Sequence, residues 1–212
     1  MTARVLNGTS IRDQIYAELK QEIAVLGGAG IRPGLAAVLV GENPASQIYV
    51  RSKIAACEQL GLGSWEFTPL ATATTGEMLA LVAELNVRDD VDGILVQLPL
   101  PPQVDTKRVL EAVDPAKDVD GFHPVNLGRL VSGRAGLVAC TPAGCMEILR
   151  RSGIPLEKTL TSMQFCGNTS SASIPLALAP ALADGRVRSG DLVLLYGFGG
   201  GLVENALLLR WT

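Results

Sequence analysis

Three polar side chains stand where a helix and a buried strand could bring chemistry together. Tyr49 and Lys53 are four residues apart, so on a helix they share one face. Gln97 interrupts the apolar run ILVQLPL, where a buried amide needs partners from protein, water or ligand. A lysine that is neutral for part of a reaction can shuttle protons, whereas arginine does not deprotonate at accessible pH. These residues therefore suit acid–base chemistry.

A polar loop, KDVDGFHPVN at 117–126, adds the carboxylates of Asp118 and Asp120. Taken singly, each feature has a structural explanation. A Tyr/Lys pair is usually a surface pair, a strand glutamine is usually satisfied by a neighbouring loop, and a DxD loop is usually a turn. Residue types alone therefore do not identify an enzyme.

Alternating helices and strands must position these side chains. Apolar periodicity and capping signals predict helices at 10–26, with Ser10 as N-cap, and at 44–60, 75–85, 105–113 and 141–151. Short apolar runs predict strands at 35–40, 65–70 and 93–100. This alternation predicts an α/β domain with a mostly parallel sheet. Residues 44–53 should then lie near the carboxyl edge of the sheet, where such sheets bind ligands.

Composition excludes several classes of function. A net charge of −3 implies no basic face of the kind that nucleic acid requires. The four cysteines form no CxxC pair and the single His123 is far from them in sequence, so no metal site is predicted. With no signal-peptide core and no run of 18 apolar residues, we expect a cytoplasmic protein without a membrane span.

Four strings in register resemble one enzyme family. The strings NPASQIYVRSK (43–53), DGILVQLPLP (92–101), KDVDGFHPVNLGRL (117–130) and CTPAG (140–144) follow the order and spacing of the methylenetetrahydrofolate dehydrogenase/cyclohydrolase family. The match runs from residue 6 to about residue 155. It implies a catalytic domain at 1–155 that acts in one-carbon metabolism on a tetrahydrofolate derivative, a small-molecule partner.

The resemblance implies roles for particular positions. Lys53 is the central catalytic group of the cyclohydrolase step, Gln97 hydrogen-bonds and orients it, and Asp120 holds the pterin. The implied pocket residues are Tyr49, which packs against the ligand rings, Ser46, Pro99 and Pro101. Methenyl-tetrahydrofolate is a cation that water must attack. Burial and a cationic ligand both lower the pKa of an amine, toward the range useful for proton transfer.

The dehydrogenase step of that family requires NADP or NAD in a Rossmann-type domain after the position of Pro155. Here the segment LEKTLTSMQFCGNTSS (156–171) does not match its phosphate loop. The glycine cluster GFGGG (197–201) follows a strand, but only 11 residues come after it. A Rossmann unit needs a helix, a second strand and an acidic partner. We therefore predict a glycine-rich turn between two strands and assign no cofactor-binding residue.

The last 60 residues resemble a different family. GNTSSASIPLAL (167–178) and GDLVLLYGFGGG (190–201) are similar to the C-terminal end of 3-oxoacyl-(acyl-carrier-protein) synthase III, a thiolase-fold condensing enzyme. The resemblance implies a short thiolase-like α+β segment at 156–212. It makes Asn168 one of three catalytic residues of that family, whose cysteine and histidine belong to earlier segments. The stretch 202–210 is a strand by this resemblance and a helix by the folate resemblance.

Three hypotheses follow. The chain is a folate enzyme whose activity lies in the cyclohydrolase step, a relative of the condensing enzymes, or a chimera that folds without catalysis. Resemblance to dimeric enzymes also suggests a homodimer.

Overall fold

A computed structural model describes residues 7–158, 160, 163–166, 169, 172–199 and 203–212. In these ranges, the boundaries of the helices and strands follow local sequence signals. The chain forms two compact units that divide between Ser152 and Gly153. The described elements of the first unit are α1 (Gly8–Gly28), β1 (Gly34–Val38), α2 (Pro44–Leu60), β2 (Gly63–Phe67), α3 (Thr75–Val87), β3 (Gly93–Val96), α4 (Thr106–Ala112), α5 (Pro124–Val131) and α6 (Cys140–Arg151).

The first unit is built on a parallel sheet with the strand order β2-β1-β3. β1 pairs in register with β2, from Gly34 opposite Gly63, and with β3, from Leu35 opposite Gly93. The predicted α/β domain with a mostly parallel sheet is confirmed. β3 is shorter than the predicted strand 93–100 because prolines at 99, 101 and 102 cannot donate to a strand ladder.

Side-chain alternation along β1 divides the core into two layers. Ala36 and Val38 belong to the larger cluster, which α3 and α4 complete with Met78, Val82, Leu85 and Val109. Ala37 and Leu39 belong to the smaller cluster, which includes Val50 of α2. Val50 is fully buried, so α2 is anchored on this face with Lys53 one turn further along.

Capping residues fix where the helices begin. Asn7, and not the predicted Ser10, caps α1, because the Asn7 side chain accepts the backbone N–H of Ser10. Thr74 and Glu77 form a capping box at α3. The predicted polar loop 117–126 is too long, since α5 begins at Pro124 after the cap residue His123. Proline at the first helical position was the signal for this helix.

The second unit pairs α8 (Ser173–Ala183) with an antiparallel hairpin of β4 (Leu192–Gly199) and β5 (Val203–Arg210). A short 3-10 helix (Leu156–Lys158) and α7 (Met163–Cys166) precede α8. Ala181, Val187 and Val193 form its small core. Two strands flank the predicted glycine-rich turn, but Gly197 and Gly199 belong to β4 and pair with β5, and the rest of the predicted turn lies outside the described residues. β5 also decides the open alternative at 202–210 in favour of a strand over its described residues.

Within the described part of the chain, no helix is both long enough and apolar enough to cross a membrane.

Candidate functional site

Lys53 reaches the carboxyl edge of the sheet through α2. The helix begins at Pro44, where the Asn43 side chain accepts the backbone N–H of Ser46 at 3.1 Å. It follows β1, so its first turns start from the edge at which the strands end. Tyr49 and Lys53 are half-buried and Ser46 is buried. The sequence therefore places these three predicted residues on one anchored helix.

Gln97 leaves the sheet at the same edge. Its backbone N–H donates to the carbonyl of Val38 at 2.9 Å, which prolongs the β1–β3 pairing by one residue. Its side-chain Nε2 donates to the carbonyl of Leu98 at 2.8 Å. No hydrogen bond joins Gln97 to Lys53 among the described residues, so the orienting role of Gln97 stays a prediction. Beyond the cis Leu98–Pro99 peptide, Pro99 is exposed and Pro101 is half-buried.

Asp120 comes to this edge from the segment after α4. Asp118 forms an isolated parallel bridge with Ile94 of β3, so the chain runs beside β3 immediately before Asp120. Burial raises the pKa of Asp120, the Lys53 ammonium acts in the opposite direction, and the Asp118 carboxylate raises the pKa further. Lys53 and Asp120 are therefore near enough for their charges to interact.

The charged groups of Lys53 and Asp120 are not engaged by other described residues of the protein. Across the described ranges, the Lys53 ammonium and the Asp120 carboxylate make no hydrogen bond and no salt bridge. A partly buried charge without a hydrogen-bonded partner is costly, and a ligand can supply that partner. The pair can thus bind a ligand that carries N–H donors and can exchange protons with it.

Cys140, at the start of α6, also lies close to these charges. Burial raises the pKa of its thiol, the Asp120 carboxylate adds to the rise, and Lys53 opposes it. The thiol Sγ–H donates to the carbonyl of Val119 at 3.5 Å. The Cys140 thiol is therefore near enough to Asp120 for the carboxylate to affect its pKa. Sequence reasoning noted the CTPAG string but did not place Cys140 in the site.

A buried polar pair beneath Asp120 was also missed. Asp118 and Asn126 are the described residues that combine near-complete burial with a direct side-chain contact, from Asn126 Nδ2 to Asp118 Oδ2 at 3.0 Å. Both residues lie in the string KDVDGFHPVN, but the sequence alone gives no sign that they are buried. Asn168, the remaining predicted residue, lies outside the described residues.

No group of three or more metal-ligating side chains occurs in the described ranges. A hollow of about 400 Å³ is lined by Arg32, Glu58, Leu62, Gly63, Ser64 and Trp65. These residues end α2 or flank the beginnings of β1 and β2, at the amino edge of the sheet. The hollow and the Lys53 edge are therefore at opposite ends of the strands.

A parallel α/β sheet with polar side chains at its carboxyl edge is typical of domains that bind small molecules there. The family model "Tetrahydrofolate dehydrogenase/cyclohydrolase, catalytic domain" matches residues 6–120, just over half of the chain. The chain therefore belongs to the tetrahydrofolate dehydrogenase/cyclohydrolase family. Residues 143–211 match a second model, the C terminal of 3-oxoacyl-(acyl-carrier-protein) synthase III, which supports the resemblance predicted for that segment.

Individual relatives agree with the first match. The chain is 59% identical over 157 residues to the bifunctional protein FolD of Koribacter versatilis, covering 74% of this chain and 51% of that protein. The bifunctional FolD methylenetetrahydrofolate dehydrogenase/cyclohydrolase from Campylobacter jejuni superimposes with a TM-score of 0.71 at 45% identity, over 72% of this chain and 55% of that one. A Trypanosoma brucei relative solved with NADP and an inhibitor gives 0.69 at 37% identity, over 72% and 53%. The chain spans about half the length of these relatives.

Proposed function

We propose that this protein hydrolyses methenyl-tetrahydrofolate, with Lys53 as the group that transfers protons. The proposal rests on one observation above all, the open pair of Lys53 and Asp120 at the carboxyl edge of the sheet. Membership of the folate family and the match over residues 6–120 support the choice of substrate class.

The chemistry needs a group that can both take and return a proton. Water adds to the methenyl carbon and releases a proton as the carbon–oxygen bond forms. A carbon–nitrogen bond then breaks, the departing nitrogen takes up a proton, and the product carries a formyl group. The amine form of Lys53 accepts the first proton and its ammonium form returns one, while the second proton of the water leaves to solvent. An arginine at this position could not alternate between the two forms.

Asp120 is proposed to bind the pterin by accepting its N–H donors. Tyr49 is one helical turn before Lys53 on α2, so its ring is proposed to stack on the substrate from the lysine side. Ser46, Pro99 and Pro101 are proposed to shape the rest of the pocket, and Gln97 to orient Lys53. Ionised Asp120 near Lys53 also favours binding of a cationic substrate.

The residues that the structure describes do not fit the nicotinamide nucleotide that the family implies. A dinucleotide loop needs its glycines to lead from a strand into a helix N-terminus, which binds the phosphates. Here Gly197 and Gly199 lie in β4, which pairs antiparallel with β5. We therefore derive no hydride-transfer step, and we expect no NADP-dependent dehydrogenase activity from this chain.

Lys53→Ala tests the proposal. We expect the full chain to hydrolyse methenyl-tetrahydrofolate, followed by the loss of its absorbance, and Lys53→Ala to slow this by about 100-fold or more. Lys53→Arg should not restore the rate, because it keeps the charge and loses the proton transfer. Lys107→Ala is the matched control, since Lys107 is an exposed helix lysine paired only with Glu111. A rate that Lys53→Ala leaves unchanged contradicts the proposal.

A condensing reaction is the second candidate, favoured by the model match at 143–211. Acyl transfer from acetyl-coenzyme A above background, lost in Asn168→Ala, would support it. A chimera without catalysis is the third reading, and a flat calorimetric titration with folate would support that one. We also propose a cytoplasmic homodimer, for which light scattering of the purified protein should give twice the mass of one chain.

A further inference from the structure

The segment that carries Asp120 is fastened at Asp118. This residue is only 5% exposed, so its carboxylate needs partners within the protein. Asp118 Oδ2 accepts the backbone N–H of His123 at 2.8 Å and Asn126 Nδ2 at 3.0 Å. The four residues 119–122, which include Asp120, lie between the two backbone positions that this carboxylate joins. The turn containing Asp120 is thus closed at both ends by one side chain.

Asn126 supports that closure from α5. Its side chain is fully buried, and Nδ2 donates to the carbonyl of Pro115 at 2.8 Å as well as to Asp118. Two acceptors face this nitrogen, so the orientation of the amide is determined. Asn126 Oδ1 is buried and has no partner within the described residues. Both donor hydrogens of Asn126 are used, but its buried acceptor is unsatisfied, which lowers the stability of the fold. A positioning role explains why an asparagine stands here.

Gly121 holds the turn from the other side. Its backbone N–H donates to the carbonyl of Asp118 at 3.2 Å, and its φ is +65°. A Cβ at this position would lie 2.7 to 2.8 Å from backbone atoms of Val138 and Ala139. The turn therefore packs directly on the chain that leads into Cys140, and it has little room to move.

We propose that Asp118 and Asn126 are positioning residues that hold the Asp120 carboxylate beside Lys53. They touch Asp120 only through the backbone and through charge, so they act on the reaction indirectly. This inference deepens the proposed function and relies on it for its kinetic test. The charged and titratable groups that face Asp120 are Lys53 from α2, Asp118 from its own segment and Cys140 from α6.

Two substitutions separate the positioning of Asp120 by hydrogen bonds from the effect of the Asp118 charge on Asp120. Asn126→Ala removes the donor that fixes Asp118, so Asp120 moves away from Lys53 and loses the charge that lowers its pKa. Asp118→Asn retains one oxygen that can accept both N–H groups, and removes the negative charge that raises the pKa of Asp120. The titration of Asp120 should therefore move to higher pH in Asn126→Ala and to lower pH in Asp118→Asn.

The matched control is Asn86→Ala. Asn86 also fastens a turn with a side-chain amide, donating to the carbonyl of Ala112 at 2.8 Å and accepting the N–H of Asp114 at 2.9 Å. It lies on α3, away from Lys53 and Asp120 in the fold. Its substitution should lower thermal stability through the loss of these partly exposed hydrogen bonds, without moving the Asp120 titration.

The experiment measures the full-length protein in two ways. Carbon-13 labelled aspartate gives the titration of each carboxyl group by NMR, and the Asp120 signal is assigned by its absence in Asp120→Asn. Methenyl-tetrahydrofolate hydrolysis gives kcat and KM. We expect Asn126→Ala to lower kcat by about 10- to 100-fold, as small misplacements of reacting groups do. Asn86→Ala should leave kcat within about twofold of the original, so that any larger loss reports positioning.

Equal losses of kcat in Asn126→Ala and Asn86→Ala would overturn the inference, because both would then act through stability alone. If the unaltered protein hydrolyses nothing, the proposed function fails, and the positioning is judged by NMR alone. Opposite shifts of the Asp120 titration in the two variants would then still support it, and an unchanged midpoint in both would overturn it. Should Asn126→Ala not fold, Asn126→Ser carries the same test, because it also removes the Nδ2 donor that contacts Asp118.

Discussion

Replacing Gly121 with alanine challenges the most crowded point of the turn that carries Asp120. Two separate costs arise there. The φ of +65° is one that an L-residue adopts at about 1 to 2 kcal/mol. The added Cβ would also meet backbone carbon and nitrogen of Val138 and Ala139 at 2.7 to 2.8 Å, closer than such atoms can approach. Because the neighbours are backbone atoms, no side-chain rotation relieves the contact.

The magnitude follows from adding the two costs. Overpacking of this kind costs about 1 to 3 kcal/mol, so Gly121→Ala should lower the free energy of unfolding by about 2 to 5 kcal/mol. Gly61 provides the control for the dihedral angle alone, since its φ is +83° and nothing lies within 4 Å of an added Cβ. Gly61→Ala should therefore cost only about 1 to 2 kcal/mol.

Gly128→Ala is a second control, because neither the dihedral cost nor the contact cost arises at this position. It lies inside α5 with open space around an added Cβ, so Gly128→Ala should stabilise the protein by about 0.5 to 1 kcal/mol. Urea unfolding followed by circular dichroism gives the three values on one scale. If Gly121→Ala unfolds at the same urea concentration as Gly61→Ala, the contact with Val138 and Ala139 carries no energy and the reasoning about the turn is refuted.

Three further predictions concern the charges and caps. Asp120→Asn should raise Tm at pH 7, because burial raises the pKa of Asp120 in the folded state and its ionisation therefore costs stability as pH rises. The gain in Tm should vanish below pH 3.8, where the carboxyl group is protonated in both the folded and the unfolded state. An equal gain at all pH values would contradict this. Arg151→Met should flatten the loss of stability between pH 4.5 and 2, because hydrogen bonds from Arg150 and Arg151 lower the pKa of Glu147 to about 2; an unchanged acid limb in thermal melts would count against it. Thr74→Ala should lower the free energy of unfolding by about 1 kcal/mol in urea, since it removes the capping box of α3, and Thr74→Ser should restore it.

Local signals were sufficient to predict where Tyr49 and Lys53 lie. Asn43 and Pro44 start α2 as cap and first helical residue, and Gly61 ends it in the left-handed conformation. The spacing of four residues then puts the two side chains on one face of the helix, independently of the rest of the fold. Apolar runs likewise predicted β1 and β3 because strands buried on both faces need no alternation.

Contacts between distant segments could not be predicted in this way. α5 was missed because its exposed face carries Leu127 and Leu130 while the buried residue is polar, Asn126, which reverses the usual pattern. The close approach of Gly121 to Val138 depends on how a loop 17 residues further along returns to the sheet. Hydrophobic periodicity carries no information about such a return.

The two ends of the strands differ in how far their polar groups are already hydrogen-bonded within the protein. At the amino edge, beside the hollow lined by Arg32 and Trp65, polar groups already make hydrogen bonds within the fold: Arg32 donates to the carbonyls of Gly61 and Leu62, and Asp92 accepts the N–H of Gly34. A ligand there would have to replace bonds that the protein already makes, which yields little net free energy. At the carboxyl edge, Lys53 and Asp120 make no internal hydrogen bond among the described residues, while the neighbouring Asp118 carboxylate accepts two hydrogen bonds. The described buried polar bonds therefore hold the turn that carries Asp120 and leave Lys53 and Asp120 without internal partners, as the proposed catalysis by positioned groups requires.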